Sequence, residues 1–420
     1  MDWCVRRTIG ALLLAALAAA GCASHYPRRP VPFTPPHAQP LAPAEHAGDT
    51  VMAMSPVPGC LAPFDPAASD VYPMRRPRNV LALSSGAAYG AYAAGFLNGW
   101  TTTGTRPEFD VVTGISTGAL MAPFAFLGPD YDVHLAHLYT TLQTQDVFRI
   151  RAWVTIPFKD SVASSAPLQR LIEKEITPTL MTRIAEEHKK GRRLYVGTTN
   201  LDTRRLVVWD LGAIACRPCP EGCELFRDVV LASASVPGMM PPVRFGIEVD
   251  GQRATELHAD GAISAQLFVP SHVFAAAAAG GAADPAGRPP PPGGNLYAVV
   301  SGKLYPDAAP VRPRVLPVLG ASVEGLIYAH CRGELANLYG LSRASGLRYH
   351  LTALNQEYQG LQTSVDFDRK GLQGLFAEGR RQGEGPAWMY GPPALSPGDG
   401  DYIRSGLRFR RPPAPPVVGP

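Results

Sequence analysis

The serine in Gly114-Ile115-Ser116-Thr117-Gly118 is the residue of this chain best placed to act as a nucleophile. Two glycines around a serine suit a turn too crowded for Cβ atoms beside the reactive hydroxyl. The pentapeptide alone is a weak signal, because a tight turn with an incidental serine reads the same way. A serine also needs a base to take its proton and donors for the charge that develops on the attacked carbonyl. Two segments could supply them: Ser84-Ser85-Gly86-Ala87-Ala88-Tyr89-Gly90-Ala91-Tyr92 upstream, and His258-Ala259-Asp260-Gly261-Ala262 downstream. The backbone N–H groups of Gly86 and Ala87 can hold an oxyanion, since no side chain is required for that task. Asp260 can serve as the base only if burial beside the serine raises its pKa from the ordinary value near 3.9. His258, two residues before Asp260, and His330 and His350 beyond it leave a Ser…Asp…His arrangement open.

The elements that must position these residues follow from the apolar pattern. Val80–Leu83 reads as a short buried strand, and Ala91–Trp100 as the helix after the Ser/Gly turn. Phe109–Val112 is a second strand running into Gly114–Gly118, and Ala119–Leu127 is the helix behind it. Ser116 therefore falls at a strand-to-helix turn that projects its hydroxyl from the sheet edge. The helix N-terminus adds partial positive charge there. Residues 131–143 and 167–190 predict amphipathic helices, the second split at Thr177-Pro178. Leu194–Thr199 and Arg205–Trp209 pair around a turn at Asp202, and a helix covers Phe226–Ser235. Asp250-Gly251 is a hairpin signal between two further strands. Leu296–Val300 resumes the sheet, helices fall around 317–341, a strand at 347–353 and a helix at 369–380. Strands alternating with helices at this spacing predict an α/β sandwich with a mainly parallel central sheet.

Composition bounds the remaining possibilities. The 420 residues carry 39 Lys+Arg against 35 Asp+Glu, a net charge of +4, which gives no electrostatic case for nucleic acid. Gly and Pro number 42 and 43, an excess that could signal disorder. Placement answers this: eleven prolines fall in 27–66, five in 280–294 and nine in 386–420. A foldable body thus carries three low-complexity attachments. The expected division is a signal peptide over 1–21, a Pro-rich tether over 22–77, a catalytic domain over 78–384 with an insertion at 275–294, and a Pro/Gly-rich tail over 385–420.

At the N-terminus Arg6 and Arg7 precede twelve residues, Ile9–Ala20, too few to span a bilayer and suited to a signal-peptide core. The run ends Leu17-Ala-Ala-Ala-Gly-Cys22. Small residues before a cysteine resemble the lipobox of bacterial lipoproteins, which implies a lipid anchor on Cys22. The departure is Ala19, where leucine is usual, and an ordinary cleavage site is the alternative. The expected location is the cell envelope, as an outer-membrane-anchored lipoprotein facing the periplasm or the exterior. Of seven cysteines, Cys216, Cys219 and Cys223 cluster. With no nearby histidine as fourth zinc ligand, a local disulfide is expected in an exported protein.

Four segments, in order, resemble patatin-like phospholipases: the glycine-bearing loop at 85–90, Gly114–Gly118, Ala232-Ser-Ala-Ser-Val-Pro237-Gly238-Met-Met-Pro241-Pro242, and Asp260-Gly261-Ala262. A looser match runs through Phe367-Asp-Arg-Lys to Leu375-Phe376 and Gly379. The resemblance implies a three-layer α/β/α fold and a Ser116–Asp260 dyad that hydrolyses lipid or other esters through an acyl-enzyme. It places Gly86 and Ala87 as oxyanion donors and Gly90, Gly114, Gly118 and Gly261 as motif glycines. No cofactor and no metal are implied, and the membrane surface is the expected partner. This chain departs from the family loop, Gly-Gly-Gly-x-Lys/Arg-Gly, in having Ser85 and Ala87 for glycines and Tyr89 for the cation. An inactive member of the fold, acting as a lipid-binding or scaffold lipoprotein, is therefore the alternative reading.

Overall fold

The computed structural model describes residues 72–152, 159–249, 252–279, 293–360, 365–386 and 388–394. The signal peptide, Cys22, Cys60, the tether up to residue 71 and the tail beyond 394 lie outside the described residues.

A run of Val, Leu and Ala without alternation is suited to a strand covered on both faces. β1 (Asn79–Leu83) is such a strand, and it lies parallel to β2 (Val111–Gly114), with Leu83 opposite Gly114. A small antiparallel pair, β3 (Arg149–Ile150) and β4 (Ala163–Ser164), stands apart from the main sheet. β5 (Arg193–Asn200) continues the parallel sheet beside β2, and β6 (Arg205–Asp210) folds back antiparallel on it. β7 (Val243–Val249) and β8 (Gln252–Asp260) form a hairpin. β9 (Gly294–Val300) runs parallel to β1, and β10 (Leu347–Ala353) parallel to β9. The order is β10-β9-β1-β2-β5-β8-β7, with β6 attached to β5.

One consequence of the registers positions the site. β5 has two edges and three partners. β6 pairs along 195–200, overlapping both β2, which pairs with 193–196, and β8, which pairs with 198–200. β2 and β8 must therefore share the opposite edge. They approach from opposite directions, so their C-terminal ends converge beside Gly197. Whatever follows Gly114 on β2 is brought against the end of β8, which is Asp260.

Alternate residues of each strand feed two cores. Leu81, Leu83, Val112 and Val299 face one layer with Phe96, Phe124 and Phe226. Val80, Ala82, Val111 and Leu296 face the other, with Val273, Leu335 and Leu338. The first layer includes the helices Gly90–Thr102, Thr117–Leu127, Glu221–Ser233 and Arg369–Glu384. The second includes Ser271–Ala278 and the long helix Val315–Ala344. This is the three-layer α/β/α sandwich expected, with five parallel strands in the mixed sheet. Gly95 and Gly99 let Arg369–Glu384 pack backbone to backbone on Gly90–Thr102. A Cβ at either would fall 2.1 Å from a carbonyl oxygen, of Phe376 or of Arg380.

Several expected boundaries shift. The low-complexity insertion expected from 275 begins later, because the helix Ser271–Ala278 buries Phe274 and Ala277 in the second core. The body begins before 78: the Tyr72 carbonyl accepts from Arg193, and Arg75 pairs with Asp110. It also extends past 384, since Met389 bridges Leu351 of β10. Trp388 packs edge-on against Phe96 and Trp100 there. The helices expected around 317–341 are one element of 30 residues. Among the described residues no helix is long and apolar enough to cross a membrane.

Candidate active site

Ser116 occupies the turn between β2 and the helix Thr117–Leu127, with φ 55° and ψ −117°. A non-glycine residue in that region is strained by about 1–3 kcal/mol and persists only where its surroundings hold it. Both flanking glycines are needed for contact reasons. A Cβ on Gly114 would lie 2.4 Å from the Gly118 carbonyl oxygen, and one on Gly118 would lie 2.5 Å from that of Leu83. The turn is tied from behind by Ser233, whose Oγ accepts the Ser116 N–H at 3.0 Å and donates to the Gly197 carbonyl at 2.7 Å.

The convergence of β2 and β8 sets the Ser116 hydroxyl against Asp260. Oγ donates to Oδ2 at 2.7 Å, while Oδ1 accepts the Ala262 N–H at 2.8 Å. Both side chains are buried. Burial pushes the Asp260 carboxyl up to about 6, against the opposing pull of its hydrogen bonds from Ser116 and Ala262. Burial acts in this direction because withdrawing water disfavours the charged form. A carboxyl near 6 is ionised at neutral pH yet basic enough to share a serine proton.

The loop after β1 lies across from the serine. Gly86 has φ 155°, and a Cβ there would strike the Ser301 carbonyl oxygen, 2.1 Å away. Ala87 has φ 48°, a left-handed conformation that costs alanine about 1 kcal/mol. Among the described residues the N–H groups of Gly86 and Ala87 have no backbone partner, and Ala87 lines the same cavity as Ser116. Ser85 anchors the loop: its N–H donates to the Gln266 carbonyl at 2.8 Å and its hydroxyl to the Gln266 side chain. Gln266 in turn donates from Nε2 to the Ala262 carbonyl at 2.8 Å, and its backbone N–H to Glu334 at 2.8 Å. The loop carrying Gly86 and Ala87 and the turn carrying Asp260 are thus one hydrogen-bonded unit. Sequence reasoning passed over Gln266 and Glu334, for no motif marks them. Ser233 lies inside the Ala232–Pro242 segment noted above.

The cavity in front of Ser116 holds about 830 Å³ of space, its open mouth included. Leu120, Phe124, Leu171, Ile172, Met239 and Phe367 are among its lining. Glu175, also in the lining, is paired with the His134 ring at 2.7 Å. An apolar chamber ending at a serine hydroxyl accepts a hydrocarbon chain better than a polar group.

The histidines stand elsewhere. His258 is buried with Nδ1 on Thr198 Oγ1 at 2.8 Å and Nε2 on Glu256 at 3.1 Å, boxed by Trp209 and Phe245. Its two nitrogens are committed away from Ser116, so its role is to pack and brace β8. His330 pairs with Glu334 on the long helix. His350, in β10, stacks on Tyr297 of β9 and lies three strand positions from β2, or about 14 Å at the usual strand spacing. Among the described residues, none of the three histidines considered for a Ser…Asp…His arrangement bonds to Ser116 or Asp260. Cys219 and Cys223 form a disulfide, while Cys216 and Cys331 are free thiols. Among the described residues no group of His, Cys, Asp and Glu could hold a metal ion.

Residues 81–271 match a family model described as patatin-like phospholipase. At the level of the family this supports lipid acyl hydrolysis. No curated protein sequence matches the chain. Among solved structures it is similar to VipD from Legionella pneumophila, at 13% identity and a TM-score of 0.37, over 73% of this chain and 66% of VipD.

Proposed function

We propose that this protein is a serine lipid acyl hydrolase, of the phospholipase A, lysophospholipase or esterase type, working through a Ser116–Asp260 dyad. The observation that carries the reading is the 2.7 Å hydrogen bond from Ser116 Oγ to a buried Asp260, at the end of an apolar cavity. The acyl chain lies along Leu120, Phe124 and Leu171, and the ester carbonyl reaches Ser116. Asp260 takes the hydroxyl proton as Oγ bonds to the carbonyl carbon. The developing oxyanion is held by the N–H groups of Gly86 and Ala87, with the N-terminus of the helix behind Ser116 adding positive potential. Collapse breaks the ester bond, and the proton on Asp260 passes to the departing alcohol. Water then enters, Asp260 takes one of its protons, and the acyl-enzyme is hydrolysed to a free fatty acid with Ser116 restored.

The test is fatty-acid release from phospholipid, lysophospholipid and short-chain esters, with fluorophosphonate labelling of the serine. Wild type should release acid and label, and Ser116→Ala should do neither. An unlabelled, inactive wild type would leave the scaffold reading, for which the strained Ala87 and the uncharged Tyr89 are the supporting observations. Export and anchoring belong to the same proposal. The signal-peptide pattern and Cys22 support a lipoprotein of the cell envelope, held at the outer membrane by a Pro-rich tether. Cys22→Ser should abolish incorporation of labelled palmitate into the protein, and unchanged incorporation would overturn the anchor.

A further inference from the structure

The long helix Val315–Ala344 is divided in its surroundings. Its second half buries Cys331, Leu335 and Leu338 in the core, whereas its first half stands away from the body. There Val315, Leu316, Val318, Leu319, Val323, Leu326 and Ile327 are between 47% and 81% exposed. At 3.6 residues per turn these positions fall within about half of the circumference. The opposite side carries Ala321 and Tyr328, both half-buried. From 315 to 323 no residue is charged, and the chain just before it carries Arg312 and Arg314, both exposed.

The base of this arm adjoins the site. Burial pushes the Tyr328 hydroxyl up to about 12, with Tyr89, Glu324 and Asp307 near enough to add to it. Tyr89 follows Ala87, which lines the substrate cavity, by two residues. The buried half of the same helix holds the Gln266 N–H through Glu334. One continuous helix therefore runs from the loops around Ser116 to an apolar, cation-flanked tip.

We infer that the exposed half of Val315–Ala344 is an interfacial arm that lays its apolar face into the surface of an anionic lipid bilayer beside the mouth of the catalytic cavity. The inference rests on the lipid acyl hydrolase reading above, and it goes beyond it in naming the surface that meets the aggregate. A helix seam between two copies of this chain would carry a narrow apolar stripe flanked by charges. A broad uncharged face with arginines at its end fits the boundary between head groups and acyl chains. The helix lies on the bilayer and does not cross it, in keeping with its length and hydropathy.

The test uses the full chain carrying Cys22→Ser, so that no lipid anchor contributes, and flotation with vesicles of equal parts phosphatidylethanolamine and phosphatidylglycerol. The parent should float. Leu316→Ser/Leu319→Ser/Leu326→Ser should lower partitioning by at least about tenfold, as expected for removing three leucines from a lipid interface. These side chains are exposed, so folding should survive, checked by an unchanged circular-dichroism melt. Arg312→Gln/Arg314→Gln should lose about fivefold per arginine on these vesicles and little on phosphatidylcholine alone. Hydrolysis of a soluble short-chain ester should be the same in parent and arm variants. Equal flotation of parent and triple variant would overturn the inference, as would a parent that stays in solution. So would a dimer by light scattering that the triple variant converts to monomer without any flotation. Loss of soluble-ester hydrolysis in the parent would instead overturn the catalytic reading, so the two failures are distinguishable.

Discussion

Replacing Asp260 with asparagine should remove turnover and yet make the protein more stable at neutral pH. Burial lifts this carboxyl from 3.8 to about 6 in the folded protein. A difference of about two units corresponds to about 3 kcal/mol. The sign follows from proton uptake. Because the folded state holds the proton more tightly than the unfolded chain, the contribution to stability is fully present below about pH 4. It is lost as pH rises through about 6. At pH 7.5 the wild type therefore carries a buried carboxylate at its full cost, and asparagine does not. Against this stands the weakened hydrogen bond to Ser116, about 1 kcal/mol. The net gain should be about 2 kcal/mol, or a rise in Tm of about 3 °C for a body of this size. Calorimetry of wild type and Asp260→Asn at pH 7.5 and pH 4 measures it, and the gain should vanish at the lower pH. In parallel, wild-type kcat/KM on a soluble ester should rise with pH to a plateau with a midpoint near 6. Asp260→Asn should fall by about 10²–10⁴-fold on the plateau. A lower Tm for Asp260→Asn at pH 7.5, or an equal gain at both pH values, would refute the claim that burial sets this acid's strength.

Three further outcomes are expected. Leu171→Trp narrows the apolar cavity, so the preference among ester substrates should shift toward shorter acyl chains, read as kcat/KM across a chain-length series. Gly86→Ala drives a Cβ into the Ser301 backbone; it should cost more than about 1 kcal/mol, seen as a lowered Tm, and reduce kcat more than it changes KM. Glu334→Leu leaves the Gln266 and Leu267 N–H groups without their shared acceptor. It should destabilise by about 1–3 kcal/mol in denaturant unfolding, whereas Glu334→Gln, which keeps an acceptor oxygen, should recover most of it.

The stored strain at the site is consistent with where the sequence spends its unusual residues. Ser116 holds a strained backbone, and so does Ala87, where the family loop carries glycine. Each is clamped by buried partners: Ser233 behind Ser116, and Ser85 with Gln266 behind the loop. Ser116 and Asp260 sit at the ends of two strands that share one edge of β5, and the sheet itself holds them together.

Much of this molecule was readable in its residues. Continuous apolar runs such as Val80–Leu83 and Leu296–Val300 mark strands because a parallel strand is covered on both faces and has no polar side to show. Thr177-Pro178 marks a helix break, and Gly114–Gly118 and Asp260-Gly261 mark the reactive turns, because local sterics leave few residues able to stand there. Local composition was a poorer guide where a low-complexity run continues into a packed element, as at 275–278, or where one aromatic such as Trp388 docks a tail onto the body. The tertiary structure alone decided that β2 and β8 meet end to end on β5, which turns two residues 144 positions apart into a hydrogen-bonded pair. It also decided that His258 faces Thr198 and Glu256, that burial brings Asp260 to a useful basicity, and that half of Val315–Ala344 is left uncovered. Each of these depends on what is packed against a residue from far along the chain, which no local pattern carries.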